Sequence, residues 1–147
     1  MRIKSILFVG RRNAARSLMA ECCLNAVAIP GWRSFSAGWQ PAAQADRTAL
    51  SALADAGFST DALTPKPLAI FRQAGAPQID LCIFLDSVMP GDVAAFPAAR
   101  ETWEVRCPSR AGTGAAYREA LEMVTARIAG LILSGRLAAV DDLPLAS

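Results

Sequence analysis

In the first 26 residues, a short apolar run is followed directly by a helical pattern of apolar residues. This order limits the folds that the chain can adopt. Residues 3–9 are largely apolar and end at Gly10, which is typical of a buried parallel strand. A strand that leads directly into a helix is the repeating unit of α/β proteins. The helix is predicted from Ser17, because apolar residues recur with helical spacing at Met19, Cys22, Cys23 and Ala26.

The rest of the chain continues this alternation, without an internal repeat or a linker. Further strands are predicted at residues 32–36, 79–85 and 102–105. Asp46 is expected to cap a helix that runs to residue 56, and residues 114–133 carry the clearest helical pattern. The sequence therefore predicts a three-layer α/β sandwich, a parallel sheet covered by helices on both faces, in a single domain over residues 1–147.

Composition excludes several classes of chemistry. The 147 residues include no histidine, so a Ser-His-Asp triad, a Cys-His dyad, a phosphohistidine relay and an HExxH zinc site are excluded. The four cysteines have no CxxC spacing, so neither a zinc knuckle nor a disulfide framework is indicated. We also expect no metal and no cofactor. A net charge of +2 argues against a nucleic-acid partner. Without a signal-peptide pattern or a run near the ~18 apolar residues of a membrane span, we expect a cytoplasmic protein with no membrane contact.

The loop between the first strand and the first helix carries the clearest functional pattern. In an open parallel sheet this loop lies at the carboxyl edge, where ligands bind. The first N–H groups of the helix and its positive dipole end favour an anion, and the Arg16 guanidinium suits two oxygens of a phosphate-like group. The residues alone leave two interpretations open, an oxyanion site and a solvated basic turn.

The same segment resembles a known family. Residues 9–17 read V-G-R-R-N-A-A-R-S, and M-A-E follows at residues 19–21. This is similar to the signature V-C-x-x-N-x-x-R-S of low-molecular-weight protein tyrosine phosphatases and the related thioredoxin-type arsenate reductases. The resemblance continues over nearly the whole chain, at residues 36–38, 54–58, 79–86 and 103–108. It implies a four-stranded parallel sheet in the order 2-1-3-4.

Two positions depart from the family's catalytic residues. Gly10 stands where the family has its nucleophilic cysteine, and a glycine cannot form a phosphoenzyme. Cys107 stands where the family has the aspartate that protonates the leaving group, and a thiol is a poor acid for that task. Arg12 replaces a usual glycine of the loop and would be disfavoured at a left-handed position. Residues 85–90 contain none of the cysteines that the arsenate reductases have after the third strand.

The resemblance implies that the anion-binding part of the loop is retained. In the family the asparagine braces the loop, the arginine binds the phosphoryl oxygens and the serine steadies the thiolate. We expect Ser17 to cap the first helix, Asp86 to order the loops, and Trp39 either to line the cleft wall or to pack on the loop. The predicted anion-binding residues are Arg11, Arg12, Asn13, Ala14, Ala15, Arg16 and Ser17.

These observations predict a catalytically inactive family member that binds phosphate or a similar oxyanion, free or carried by a phosphorylated protein. One alternative is an active phosphatase or arsenate-reductase-like enzyme with a different nucleophile, for which Cys107 is the candidate. Another is an interaction protein whose loop is occluded. The other cysteines, Cys22, Cys23 and Cys82, are expected in the core.

Overall fold

Four parallel strands form the centre of the structure, a computed structural model that describes residues 2–137. They are β1 (Lys4–Val9), β2 (Trp32–Ala37), β3 (Leu81–Phe84) and β4 (Ala99–Thr102). All neighbouring strands pair in parallel, and their order across the sheet is β2-β1-β3-β4. The predicted fold class and strand order are therefore confirmed.

Helices and turns cover both faces of this sheet. Alternate residues of β1 belong to two separate apolar clusters, because successive side chains of a strand point to opposite faces of the sheet. Ile6 and Phe8 belong to the cluster that contains the buried residues of the three longer helices, and Leu7 and Val9 to the other cluster. The helices are α1 (Arg16–Val27), α2 (Arg47–Asp55), α3 (Gly91–Ala94) and α4 (Gly114–Leu133), with 3-10 turns at Leu68–Arg72 and Pro108–Arg110.

The fourth strand does not lie where the sequence pattern predicts it. The prediction is residues 102–105, whereas β4 is Ala99–Thr102. This strand is at the edge of the sheet and its side chains are mostly exposed, so backbone hydrogen bonds define it without an apolar alternation. Trp103 and Val105, which create the alternating pattern, are buried just beyond the strand.

The predicted single domain over residues 1–147 extends past the described part of the chain. Residues 2–137 share one sheet and its two covering layers, and residues 138–147 lie outside the described residues. Between residues 2 and 137, no helix is both long and apolar enough to cross a membrane.

Candidate functional site

The loop between β1 and α1 lies at the carboxyl edge of the sheet, beside the segment that follows β2. Backbone N–H groups of that segment bind three carbonyls of the loop. The bonds run from Gln40 to Arg11, from Ala42 to Arg12 and from Asp46 to Ala14, each at 2.9 Å. In a trans peptide the carbonyl and the next N–H point in opposite directions, so the N–H groups of residues 12, 13 and 15 face away from this segment.

The N–H groups of the loop have no acceptor among the described residues. From residue 12 to residue 16, no backbone or side-chain atom of residues 2–137 accepts a hydrogen bond from them. Ala15 is the N-cap of α1 and no side chain caps this helix, so the expected capping by Ser17 is wrong. A run of N–H donors before a helix that no protein acceptor satisfies is suited to an anion.

Gly38 allows the segment after β2 to pack directly on the loop. A Cβ at this position would lie 2.6 Å from the Arg11 carbonyl oxygen and 2.7 Å from that of Gly10. Both distances are shorter than a carbon–oxygen contact permits, and both oxygens belong to the backbone. Residue 38, the last of the family-like segment 36–38, is therefore a glycine because two backbones meet there.

Asn13 is the residue of the loop that adopts a left-handed conformation, with φ of 51°. Asparagine tolerates this region better than most residues, and Arg12 is not placed in it. The Asn13 side chain is buried, donates to Ser17 Oγ at 2.7 Å and accepts from the Lys66 N–H at 2.9 Å. The loop is thus anchored from within by a polar side chain whose donor and acceptor are both used.

Arg16 is held by three acceptors at the base of the loop. Its Nη1 donates to the carbonyls of Leu85 and Val105, at 2.5 and 2.9 Å, and its Nη2 donates to Asp86 Oδ1 at 2.8 Å. A guanidinium has five N–H donors, so two remain without an acceptor in residues 2–137. The contacts fix the orientation of Arg16 and leave it able to bind one further group.

Asp86 places a carboxylate against the same loop. It follows β3 by two residues, and its Oδ2 accepts the N–H of Arg11 at 2.9 Å. A Cβ on Gly10 would lie 3.9 Å from this oxygen and 3.5 Å from Ser17 Oγ, which are ordinary contact distances. Asp86 therefore orders the loop, as the sequence predicts, and it also brings a negative charge next to the predicted anion site.

A pocket of about 570 Å³ opens over the loop. All of the predicted anion-binding residues line it, together with Gly10 and Cys107. The other walls are Ala42, Gln44, Asp46, Asp86, Ser109 and Arg110. Gly10 and Cys107, which the resemblance matches to the family's catalytic positions, are thus in one pocket, although they are far apart in sequence.

Trp39 is not among the residues that line this pocket. Its half-buried ring packs against the cluster on the other face of the sheet, which includes Leu7 and Phe84. The sequence left open a place in the cleft wall and packing on the loop; Trp39 instead packs on this cluster and does not line the pocket over the loop. The Arg11 side chain donates from Nε to Gln40 Oε1 at 2.7 Å.

Cys107 differs from the other three cysteines in its surroundings. It is half-buried, and its Sγ lies 3.0 Å from Ser109 Oγ. Cys22, Cys23 and Cys82 are buried, as the sequence predicts. Burial raises the pKa of Cys23 and of Cys82 to about 12, so both are neutral thiols near pH 7. Burial raises the pKa of Cys22 as well, and only a thiolate is an effective nucleophile, which leaves Cys107 as the thiol to consider.

Two supporting contacts of the site were not predicted. The backbone N–H of Lys66 binds the loop asparagine, and Tyr117 donates its hydroxyl to Asp46, which also caps α2. Both join residues more than 50 positions apart, and no local pattern identifies such partners. The capping role of Asp46 alone has a signal in the sequence.

Comparison with solved structures places this site in a known fold. An arsenate reductase in its phosphate-binding state is 25% identical, with a TM-score of 0.70, over 89% of this chain and 98% of that one. The arsenate reductase of Archaeoglobus fulgidus is 27% identical, with a TM-score of 0.68, over 86% of this chain and 98% of the other. Vibrio vulnificus Wzb in complex with benzylphosphonate is 18% identical, with a TM-score of 0.72 over 90% and 99%, and shows likeness of fold alone.

Sequence comparison identifies the family. A search of curated protein sequences gives no significant match. The family model for low molecular weight phosphotyrosine protein phosphatases matches residues 5–141, which include every strand and helix described above except the first residue of β1. The chain belongs to the low molecular weight phosphotyrosine protein phosphatase family.

Proposed function

We propose that this protein is a non-catalytic member of its family that binds phosphate or a similar oxyanion in the loop at residues 10–17. The observation that carries the proposal is the row of N–H groups at residues 12–16, which belong to the pocket-lining loop and have no acceptor among the described residues. Arg16 adds two free donors beside them. An arsenate reductase of the same fold was solved in a phosphate-binding state, which supports phosphate as the ligand.

The absence of catalysis follows from the two substituted positions. Gly10 has no side chain that can attack phosphorus, so the covalent route through a phosphoenzyme is closed at this position. Cys107 offers a thiol where the family uses a carboxylic acid, and loss of such an acid costs about 10²–10⁴ in rate. The pocket therefore keeps donors for an anion and lacks both groups that would cleave a phosphate ester.

The ligand is a free oxyanion or a phosphate carried by a phosphorylated protein. Arg12 and Arg110 are exposed at the pocket, and neither has an acidic partner within residues 2–137. Two unpaired cations at the mouth favour an anionic ligand through long-range attraction. The oxyanion itself is expected deeper, at the loop.

Calorimetric titration with inorganic phosphate in a chloride buffer tests binding. We expect saturable binding by the wild type and a loss of at least tenfold in affinity for Arg16→Lys, because a lysine cannot keep the planar contacts. Arg118→Ala removes an exposed positive charge outside the pocket and is expected to bind like the wild type. The proposal would be refuted if the wild type did not bind phosphate, or if Arg118→Ala lost as much phosphate affinity as Arg16→Lys.

The alternative of a different nucleophile rests on Cys107, which lies in the pocket and is accessible. Hydrolysis of p-nitrophenyl phosphate separates the two functions. We expect no turnover above buffer by the wild type. Turnover that disappears in Cys107→Ser would establish the alternative, since that change keeps the size of the side chain and removes the thiolate.

A further inference from the structure

We propose that Asp86 makes the loop selective for an oxyanion that carries a proton, such as hydrogen phosphate, over one that carries none, such as sulfate. The inference rests on the proposed function, because it concerns which anion the loop accepts. It assigns to Asp86 the role of a specificity determinant for binding.

The carboxylate of Asp86 lies among the donors that an oxyanion would use. Its Oδ2 is 2.9 Å from the Arg11 nitrogen, and its Oδ1 is 2.8 Å from Nη2 of Arg16. It lines the pocket with the loop, and its side chain is 26% exposed. An anion bound to the loop N–H groups and to Arg16 would therefore have this carboxylate as a direct neighbour.

Asp86 also keeps acceptor capacity for a ligand. An ionised carboxylate has about four lone-pair sites and no donor. Within residues 2–137 two of these sites are used, one by Arg11 and one by Arg16. The remaining sites accept a hydrogen bond from any O–H that approaches through the pocket.

A proton on the ligand decides whether this contact is attractive. Sulfate and phosphate are tetrahedral and similar in size, so the N–H groups of the loop and Arg16 bind either one. Inorganic phosphate keeps at least one proton at neutral pH, and that O–H donates to the carboxylate in a charge-assisted hydrogen bond. Sulfate has no proton there, so its oxygens and the carboxylate repel each other at close range.

Titration of the same protein with phosphate and with sulfate at pH 7.5 measures the selectivity. We expect the wild type to bind phosphate roughly 10- to 100-fold more tightly than sulfate, the range given by one hydrogen bond to a charged group. In Asp86→Asn the amide can donate as well as accept, so the ratio is expected to fall below about threefold through tighter binding of sulfate. Asp55→Asn makes the same charge change on an exposed residue at the end of α2 and is expected to keep the wild-type ratio.

Each result of the titration decides the inference. Equal binding of the two anions by the wild type, or an unchanged ratio in a folded Asp86→Asn, refutes the inference and leaves the proposed function standing. If the Asp86→Asn variant binds both anions and the wild type binds neither, the carboxylate excludes oxyanions from the loop. That result refutes both proposals for the wild type. Binding of neither anion by either protein refutes the proposed function and the inference with it. A wild-type ratio near one refutes the inference even if the variant does not fold.

Discussion

Gly38 is the residue on which the shape of the loop depends most directly. Its missing Cβ leaves room for the carbonyl oxygens of Gly10 and Arg11, at 2.7 and 2.6 Å from where that atom would lie. In Gly38→Ala the loop or the end of β2 must shift, because neither oxygen belongs to a flexible side chain. We expect the free energy of unfolding to fall by about 1–3 kcal/mol and phosphate affinity to fall with it. Urea denaturation and calorimetric titration measure the two effects.

Gly130→Ala is the matched control for this substitution. Gly130 lies in α4, and a Cβ there would have no atom within 4 Å. Alanine is about 1 kcal/mol more favourable than glycine inside a helix, so this variant is expected to gain stability and keep its phosphate affinity. If Gly38→Ala proved as stable as the wild type, the close approach of the two backbones would not constrain the loop.

Gly10 gives a second prediction, since the pocket has space for a side chain there. A Cβ would lie 3.5 Å from Ser17 Oγ, an ordinary contact, and the glycine does not adopt a positive φ. Gly10→Cys is therefore expected to fold and to gain weak hydrolysis of p-nitrophenyl phosphate. Addition of Cys107→Asp restores an acid for the leaving group and is expected to raise the rate by about 10² or more.

Gly91→Cys controls for the addition of a thiol at a surface position. A Cβ on Gly91 would have no neighbour within 4 Å, so a cysteine fits there without contact to the loop. We expect this variant to show no turnover. If the double variant of Gly10 and Cys107 were also inactive, the loop would differ from that of an active family member in more than its side chains.

At the scale of elements, a partly buried hydrogen bond joins the N-cap of α2 to α4 at the wall of the pocket. Asp46 Oδ1 caps α2 by accepting the Thr48 N–H at 2.9 Å, and its Oδ2 accepts the hydroxyl of Tyr117 from α4. Burial and this hydrogen bond raise the pKa of Tyr117 above its usual value, so the phenol remains a donor near pH 7. The backbone N–H of Asp46 binds the loop carbonyl of Ala14, which extends the connection to the anion site.

Asp46→Ala is expected to lower the free energy of unfolding by about 2–3 kcal/mol, because the cap is lost and a buried hydroxyl loses its acceptor. Asp46→Asn keeps an acceptor oxygen and is expected to lose less. A double-mutant cycle with Tyr117→Phe, measured by urea denaturation, is expected to give a coupling energy above about 0.5 kcal/mol. If the losses in the free energy of unfolding were strictly additive, the two residues would act independently.

The positions of the strands and helices could be predicted where buried apolar residues recur at regular spacing along the sequence. β1 and α4 have continuous apolar patterns and lie close to their predicted positions. β4 has mostly exposed side chains and is defined by backbone pairing with β3, so a pattern of side chains misplaces it by three residues. The hydrogen bond between Asp46 and Tyr117 joins positions 71 apart, which no local pattern can indicate.

The place of a residue in the site could be predicted from the sequence where that residue had a single expected role. Asn13 and Arg16 match a signature whose spacing fixes their place in the loop, and the structure brings both to the pocket. Trp39 had two equally good uses, and its packing on the other face of the sheet depends on residues distant in sequence. The hydrogen bonds from Arg11 and Arg16 to Asp86 likewise join residues 75 and 70 positions apart, so no local sequence pattern indicates them.

At the scale of the whole molecule, two ion pairs tie the beginning and end of the described chain to the sheet. Arg2 binds Asp80 through two hydrogen bonds, of 2.6 and 3.0 Å, just before β3. Arg136 binds Glu101 of β4 at 2.5 Å. The hydrogen bond from Arg2 lowers the pKa of Asp80 below its usual 3.8. Burial opposes ionisation of Glu101, but hydrogen bonds from Trp103 and Arg136 outweigh it and lower that pKa below 4.5.

These shifts predict how stability depends on pH. Both carboxylates have a lower pKa in the folded protein than in the unfolded chain, so their contribution is complete above about pH 5 and is lost as the pH falls through the folded values. Asp80→Asn combined with Glu101→Gln is expected to cost about 1–2 kcal/mol at pH 7, because both pairs are partly exposed to solvent. As the pH falls through the folded pKa values, the carboxylates of the wild type become protonated, so the difference is expected to shrink. Urea denaturation of both proteins between pH 7 and pH 2 measures this convergence, and an equal difference at every pH would show that the substitutions act through packing rather than through charge.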